Sequence, residues 1–290
     1  MSHRQNNSLF VVATPIGNLK DITLRALDVL KDVDLIVSEN VRKTRNLLDH
    51  YCIKTKVTSY RESNCRRLIP SLVKMMKSGK DVALVAEAGT PGISDPGRRL
   101  VRAVLNEGLR VVPVPGASAA IAAVSVSGME EPRFVFEGFL PRRRSKRRRR
   151  LRELADVGLT LVFFEAPHRL LCCLRDMVET LGDRQCVIGR EVTKLYEGIE
   201  RGVITSFIDK YENTRPRGEF VIVCEGASDG AWAISSDRIL EEAAILIGEG
   251  MKKTDIAKAL AKRHGLSGRD VYRTIARAPG GRGKGDNSEG

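Results

Sequence analysis

Val82-Ala83-Leu84-Val85-Ala86 runs without a break into Glu87-Ala88-Gly89-Thr90-Pro91-Gly92-Ile93-Ser94-Asp95-Pro96-Gly97. Five apolar residues in succession predict a strand buried on both faces, because a strand with one wet face would alternate. The eleven residues that follow hold three glycines and two prolines, more than a connection to a helix requires. Such a loop is stiff and exposes its backbone. It also stands at the carboxyl end of a strand, where open α/β sheets bind their ligands. Asp95 has a plainer reading as a helix cap, with Pro96 at the first helical position.

The same unit recurs on either side. Leu9–Thr14 is a short apolar run closed by Pro15-Ile16-Gly17-Asn18. Asp21 can cap the helix after it, in which Ile22, Leu24, Ala26, Leu27 and Leu30 fall at helical spacing. Leu35-Ile36-Val37 is a further strand, leading through Glu39 to a helix over 41–50. Val111–Val114 is another, ending in Pro115-Gly116-Ala117-Ser118-Ala119 at the start of a small-residue helix. Buried strands separated by helices predict a parallel sheet covered on both faces. An ordinary turn, or close packing of helix on sheet, would explain any one of the three glycine loops. Three at strand ends in one domain point to a nucleotide-like ligand. Neither GxGxxG nor GxxxxGK[ST] occurs among them, so a dinucleotide or a P-loop triphosphate is not indicated.

A second cycle begins near Phe134, with strands predicted over 160–165, 185–190, 202–207 and 219–224 and a helix over 168–181. From Ser236 to Ala278 the chain reads as helical throughout, and 253–275 has helix-turn-helix character. There Ala261 and Gly265 fit the turn, and Val271 and Ile275 share one face. A small packing or dimer module is the alternative. The expected organisation is an α/β domain over 1–128, a second α/β domain over 129–228 with a basic linker at 141–152, a helical domain over 236–278 and a disordered tail over 279–290. No internal repeat is present.

The chain has 290 residues, with 49 Lys and Arg against 36 Asp and Glu, a net charge of +13. A balance this basic points to a polyanion, nucleic acid before acidic membrane. Its densest part is Arg142-Arg143-Arg144-Ser145-Lys146-Arg147-Arg148-Arg149-Arg150, either a solvated linker or a surface for RNA phosphates. Aromatic residues are only 5%, which argues against RNA recognition by aromatic-studded sheets. No apolar run approaches the ~20 residues of a spanning helix. The polar start, Met1–Ser8, lacks a signal core. The six cysteines are scattered without a CxxC. These features favour a cytoplasmic protein with reduced thiols and give little support to a metal site or a disulfide framework.

Several of these stretches together resemble a known family. Thr14-Pro15-Ile16-Gly17-Asn18-Leu19, Ala88-Gly89-Thr90-Pro91 with Asp95-Pro96-Gly97, and Pro115-Gly116 are similar in kind and order to the tetrapyrrole methylase superfamily. Four further stretches narrow the resemblance to the bacterial small-subunit ribosomal RNA ribose 2′-O-methyltransferases of type I. They are Gly138-Phe139-Leu140-Pro141, Phe164-Glu165-Ala166-Pro167-His168-Arg169, Arg190-Glu191-Val192-Thr193-Lys194 and Gly218-Glu219. The likeness covers about 9–227. It departs at Glu39-Asn40-Val41-Arg42, where the family usually has Glu-Asp-Thr-Arg.

The resemblance implies two α/β domains with S-adenosylmethionine in the cleft between them, a homodimer, and methylation of a cytidine ribose in the decoding region, on RNA or on the assembled small subunit. On that basis Pro15, Gly17, Asn18, Glu87, Ala88, Gly89, Thr90, Pro91, Ile93, Gly116, Ala117, Ser118 and Ala119 are the expected cofactor contacts. Methyl transfer to a ribose demands alignment and some help in removing a weakly acidic proton. Glu39, Asp95, Glu165 and Glu191 are candidate bases, with Arg42, Lys194 and His168 as supports. Glu39 is the first choice, though Glu39 and Arg42 could simply pair. Two other functions stay open: methylation of a small tetrapyrrole, which the basic block suits poorly, and DNA-binding regulation through the C-terminal helices, which leaves the α/β region without a task.

Overall fold

A computed structural model describes residues 7–93, 95, 97–227, 236–248, 250–264 and 268–277. The first ten elements alternate: β1 (Ser8–Val12), α1 (Leu24–Asp32), β2 (Leu35–Ser38), α2 (Val41–His50), β3 (Val57–Ser59), α3 (Cys65–Lys77), β4 (Val82–Val85), α4 (Gly97–Asn106), β5 (Arg110–Val114) and α5 (Ala119–Ser125). The five strands form one parallel sheet in the order β3-β2-β4-β1-β5. Alternate side chains face opposite layers. Leu9, Leu35, Val37, Val82 and Leu84 meet Leu72, Val73 and Met76 of α3 and Leu100 and Val104 of α4. Val12, Ile36, Ala83 and Val85 meet Ala26 and Leu30 of α1 and Leu48 of α2. Burial on both faces is what the unbroken apolar runs require. Because all five strands are parallel, their carboxyl ends share one edge of the sheet, and every glycine loop emerges there.

The helix after the first loop is capped differently from expectation. Leu19–Asp21 is a 3-10 turn, and Thr23 rather than Asp21 caps α1, its hydroxyl accepting from the Ala26 amide at 3.1 Å.

The second sheet uses β6 (Phe134–Phe139), β7 (Thr160–Glu165), β8 (Gln185–Arg190), β9 (Gly198–Val203) and β10 (Phe220–Cys224), in the order β6-β7-β10-β8-β9. Only β6 and β7 run parallel; the other pairings are antiparallel. Between them lie α6 (Arg144–Leu154), α7 (Leu170–Leu181) and α8 (Ile204–Asn213). One face of the sheet, with Val162, Val187, Val221 and Val223, packs on Ala120 and Ala123 of α5. The helix that follows the third glycine loop therefore docks on the second sheet.

Three expectations fail here. Of the stretch 202–207 only the first two residues are strand, the end of β9: Ile204 opens α8, and Ile204, Phe207 and Tyr211 are buried at helical spacing. Asp183 secures that helix start by accepting from the Thr205 amide and hydroxyl at 2.9 and 2.6 Å. α7 begins at Leu170, not at His168. The basic stretch is no linker; from Arg144 it is helix α6.

The chain divides into two compact units, one holding both sheets (to Leu151, and Thr160–Glu225) and one comprising Arg152–Leu159 with the chain from Gly226 onward. In the second unit, α9 (Ser236–Gly248), α10 (Lys253–His264) and α11 (Gly268–Arg277) share a core of Ile239, Ala243, Ile256, Leu260, Val271 and Ile275. The helical stretch is thus three helices, with α10 and α11 in the segment read as helix-turn-helix, and Val271 and Ile275 lie on the buried face of α11. Gly265 and the expected tail at 279–290 lie outside the described residues. No helix among the described residues is long and apolar enough to cross a membrane.

Candidate functional site

The three glycine loops meet. Ala13 donates its amide to the Val114 carbonyl at 3.0 Å, continuing the β1–β5 pairing into the first loop. Thr14 and Gly89 then exchange two backbone hydrogen bonds of 3.0 Å each, which ties the first loop to the second. Gly89 has φ +76°, and a Cβ placed on it would lie 3.3 Å from Ile16 Cγ2 and 3.7 Å from the Ala117 carbonyl oxygen. One point thus touches all three loops. A Cβ on Gly116 would lie 3.0 Å from that of Ala13. The Thr14 hydroxyl is buried there without a hydrogen-bond partner among the described residues, an uncommon state for a buried polar group.

Around this point Gly17, Asn18, Glu87, Ala88, Ile93 and Gly116 are exposed, and Pro15, Thr90, Ala117, Ser118 and Ala119 are half-buried. Two of the side chains have local duties. Asn18 accepts from the Lys20 amide at 3.1 Å, and Ser118 caps α5. Pro91 is buried. With Gly92 it also borders an open cleft of about 420 Å³ against α4, lined by Val11, Arg98, Val101 and Leu105, which contains neither Thr14, Gly89 nor Gly116.

Three acids gather at the same sheet edge. Glu39 directly follows β2, and burial, then the negative charges of Asp95 and Glu87, hold its carboxyl above the usual range, with Arg61 pulling the other way. Arg61 also donates to the Glu39 carbonyl at 3.0 Å. Glu87 is held low, first by Lys43, 2.5 Å away, against a cost of burial, and then by Asn40. Asn40, one of the two residues that depart from the family's Glu-Asp-Thr-Arg, is thus a partner of Glu87, and Lys43 is a residue that the sequence reading missed. Asp95 acts locally: its oxygens accept from the Gly92 amide at 2.9 and 2.8 Å and from the Gly97 amide at 2.7 Å, so it folds the loop and caps α4. Arg42 is exposed, and no ion pair joins it to Glu39 among the described residues.

A second cluster closes on the first loop from the other sheet. The turn after β8 carries Glu191 at φ +51° and Thr193 at φ +70°. A Cβ on Gly17 would fall 2.2 Å from Lys194 Cγ and 2.9 Å from Thr193 Oγ1, so only glycine lets the first loop lie against this turn. Lys194 Nζ donates to Glu191 at 2.9 Å and to Glu219 at 3.0 Å, and Glu191 also accepts from the Glu219 amide at 2.8 Å. Burial pushes the Glu191 carboxyl up, but Lys194, the Glu219 amide and Arg190 outweigh it and hold the group low. Burial likewise works against the Lys194 charge, and the two carboxylates more than restore it. Lys194 is therefore a tie between loops.

Two sequence candidates, Glu165 and Arg147, are out of a substrate's reach. Glu165 has a fully buried side chain whose Oε1 accepts from the Ala166 amide at 2.9 Å and pairs with Arg169 at 3.3 Å. Arg169 in turn donates to the Leu140 carbonyl at 2.7 Å, which joins two of the sequence signatures structurally. His168 is exposed. In α6, Arg147 is buried against Asp176, with only 6% and 1% of their side chains exposed and a separation of 2.6 Å. Arg144 shares Asp176, Arg148 pairs with Glu179, and Arg150 is bidentate to Glu137 at 2.6 and 2.7 Å. The block expected to face RNA as a whole is sorted by α7 and β6: Arg142, Arg143, Lys146 and Arg149 are exposed, and Arg147 is core.

Comparison with known proteins agrees with this architecture. Residues 8–207 match the family model of tetrapyrrole (corrin/porphyrin) methylases. The ribosomal RNA small subunit methyltransferase I of Thermotoga maritima is 47% identical over 218 residues, 75% of this chain and 98% of that protein. The protein of the same name from Synechocystis is 40% identical over 91% of this chain and 95% of its own length. Among solved structures, a cobalt precorrin-4 methyltransferase of cobalamin biosynthesis superposes with a TM-score of 0.58 at 16% identity, over 77% of this chain and 97% of that one. The uroporphyrin-III C-methyltransferase of Thermus thermophilus, complexed with S-adenosylhomocysteine, gives 0.54 at 16% identity over 74% and 96%. The paired sheets, the joined glycine loops and these relationships establish that the chain belongs to the tetrapyrrole (corrin/porphyrin) methylase family, on the branch of its relatives called ribosomal RNA small subunit methyltransferase I.

Proposed function

We propose that this protein methylates the ribose 2′-hydroxyl of a cytidine in the decoding region of small-subunit ribosomal RNA, using S-adenosylmethionine. The observation that carries the reading is the convergence of Ile16, Gly89 and Ala117 on one backbone-lined point at the carboxyl edge of the first sheet. The residues there suit the cofactor. The buried, unpartnered Thr14 hydroxyl offers a hydrogen bond, and the glycines at 89 and 116 let a ligand lie on the main chain. Pro15–Asn18, Glu87–Ile93 and Gly116–Ala119 would hold it, and when bound it supplies a methyl group already activated by its sulfonium.

The protein's own part is positioning and proton removal. Glu39 would accept the ribose proton; the neighbouring carboxylates and partial burial that raise its proton affinity suit a base. Arg42, exposed in the first turn of α2, would meet a phosphate. Lys194 and Asp95 would act as positioning residues for the loops. The RNA strand would run over Arg142, Arg143, Lys146 and Arg149 of α6. The family's tetrapyrrole chemistry is the second reading; a compact ligand gives those cations no task. A ribosomal substrate would place the protein in the cytoplasm, and the resemblance suggests a homodimer.

The test is transfer of labelled methyl to small ribosomal subunits lacking the modification, to naked RNA, to uroporphyrinogen and to DNA. Label in RNA, mapped to a ribose 2′-oxygen, is the expected result. Label only in the tetrapyrrole would overturn the reading.

A further inference from the structure

The turn that leans on Gly17 presents two apolar side chains to solvent. Leu195 is 89% exposed and Tyr196 is 70% exposed, side by side. Burying either would have been favourable, at about 25 cal/mol per Å² of apolar surface. Adjacent exposed apolar residues on a rigid support usually mark a contact surface. The support is rigid here. Lys194 donates its amide to the Glu191 carbonyl at 2.9 Å, Glu197 donates to the Lys194 carbonyl at 3.1 Å, and the Lys194 ammonium is held by two carboxylates. Thr193, a β-branched residue at φ +70°, is strained in this turn.

We infer that Leu195 and Tyr196 form a stacking platform for an unstacked base of the RNA substrate, beside the cofactor loops. This rests on the RNA reading above. Position favours it, because Thr193 and Lys194 pack on Gly17 of the first loop, so whatever lies on Tyr196 lies next to the proposed methyl donor site. Charge favours it too. Exposed Glu197 and Glu219 belong to the turn and the loop joined to it, but that loop also carries exposed Arg215 and Arg217, and exposed Lys20 follows the Gly17 loop. An aromatic face set among cations is how proteins hold single-stranded nucleic acid, the cations on phosphates and the ring on a base. Single-stranded RNA is recognised through unstacked bases splayed onto aromatic side chains, and a base so placed beside the cofactor loops needs a surface to lie on.

The experiment measures binding of small ribosomal subunits lacking 2′-O-methylation, across a salt series, for wild type, Tyr196→Ala, Tyr196→Phe and Leu195→Ala. Cofactor affinity is measured by calorimetry and the oligomeric state by sedimentation. Tyr196→Ala should weaken binding roughly 5- to 150-fold, the range of base–aromatic stacking. The salt slope should stay as it is, because no phosphate contact is removed. Cofactor affinity should be unchanged, and Tyr196→Phe should bind as wild type. Wild-type binding by Tyr196→Ala, or a loss that Phe does not rescue, overturns the platform. A fall in oligomeric state would mean that a second copy of the chain occupies the surface, and also overturns it. Methyl transfer by the wild-type protein, run alongside, separates the two ideas: transfer to RNA with an indifferent Tyr196 sinks only the platform, and absence of transfer to RNA sinks both.

Discussion

Replacing Gly89 by alanine asks whether the three loops truly share one point. At φ +76° a non-glycine residue costs about 1–2 kcal/mol. The new Cβ would also press on Ile16 Cγ2 at 3.3 Å. The backbone has little freedom to rotate away, because Gly89 donates and accepts in the 3.0 Å bridge with Thr14. Breaking such bonds costs about 0.5–1.5 kcal/mol each, comparable with the strain. If the loop keeps its conformation, the cost appears in stability, a fall in Tm of about 2–8 °C. If it relaxes, the cost returns when the cofactor re-forms the site, and Kd rises by up to roughly 5- to 30-fold. Gly89→Val should be worse, since branching adds atoms where Ile16 and Ala117 already stand. Gly79→Ala is the control: Gly79 has φ +88° but nothing within 4 Å of an added Cβ. It should lose similar stability and bind the cofactor normally. Calorimetric Kd and thermal scans on all three variants decide. A folded Gly89→Ala protein with wild-type Tm and wild-type Kd would refute the convergence argument.

Three further outcomes follow from the site. Arg147→Ala should destabilise the protein by up to about 3–5 kcal/mol in urea denaturation, because it removes the buried partner of Asp176 and leaves that carboxylate only the exposed Arg144; a loss under 1 kcal/mol would contradict the buried pair. Neutralising Arg142, Arg143 and Lys146 together to Gln should lower the slope of log affinity for RNA against log salt by about 2–3, with cofactor binding intact, and an unchanged slope would remove α6 from the RNA surface. Glu39→Gln should slow single-turnover methylation by about 10²–10⁴-fold and abolish the acid limb of the pH–rate profile. That limb lies above the usual carboxylate range because the Glu39 carboxyl is raised. The stability linked to that raised value is fully present below the ordinary carboxylate pKa and is lost as pH rises through the raised folded value, so Glu39→Gln should be at least as stable as wild type at pH 7–8. Near-wild-type rates in the Gln variant would assign proton removal elsewhere.

Much was legible along the chain because it is written in local patterns. Unbroken apolar runs at Leu9, Leu35, Val82 and Val111 marked strands buried on both faces, and a sheet of such strands has its loops on one edge by geometry. The glycine loops carried the family resemblance in their residue types. What escaped was local structure too short or too interrupted to signal itself. β3 is three residues long, and α3 runs on through Pro70. The window at 202–207 read as a strand because it stopped before Tyr211 completed the helical period.

Local pattern alone carried the class of fold, the family and the basic balance that suits a polyanion, and it marked the three glycine loops that the proposal assigns to the cofactor. Tertiary structure alone decided which charges are available to do chemistry. Arg147 and Arg149 are indistinguishable in a run of arginines, yet Asp176, 29 residues away, draws one into the core. Glu39 and Glu165 both lie at strand ends. One stands half-exposed beside two acids, and the other is sealed under Arg169. The antiparallel pairing in the second sheet and the leaning of the Glu191–Lys194 turn on Gly17 were equally invisible beforehand. The physical reason is the same in each case: burial and ion pairing depend on which distant groups share a space, and a one-dimensional pattern holds the groups but not the distances.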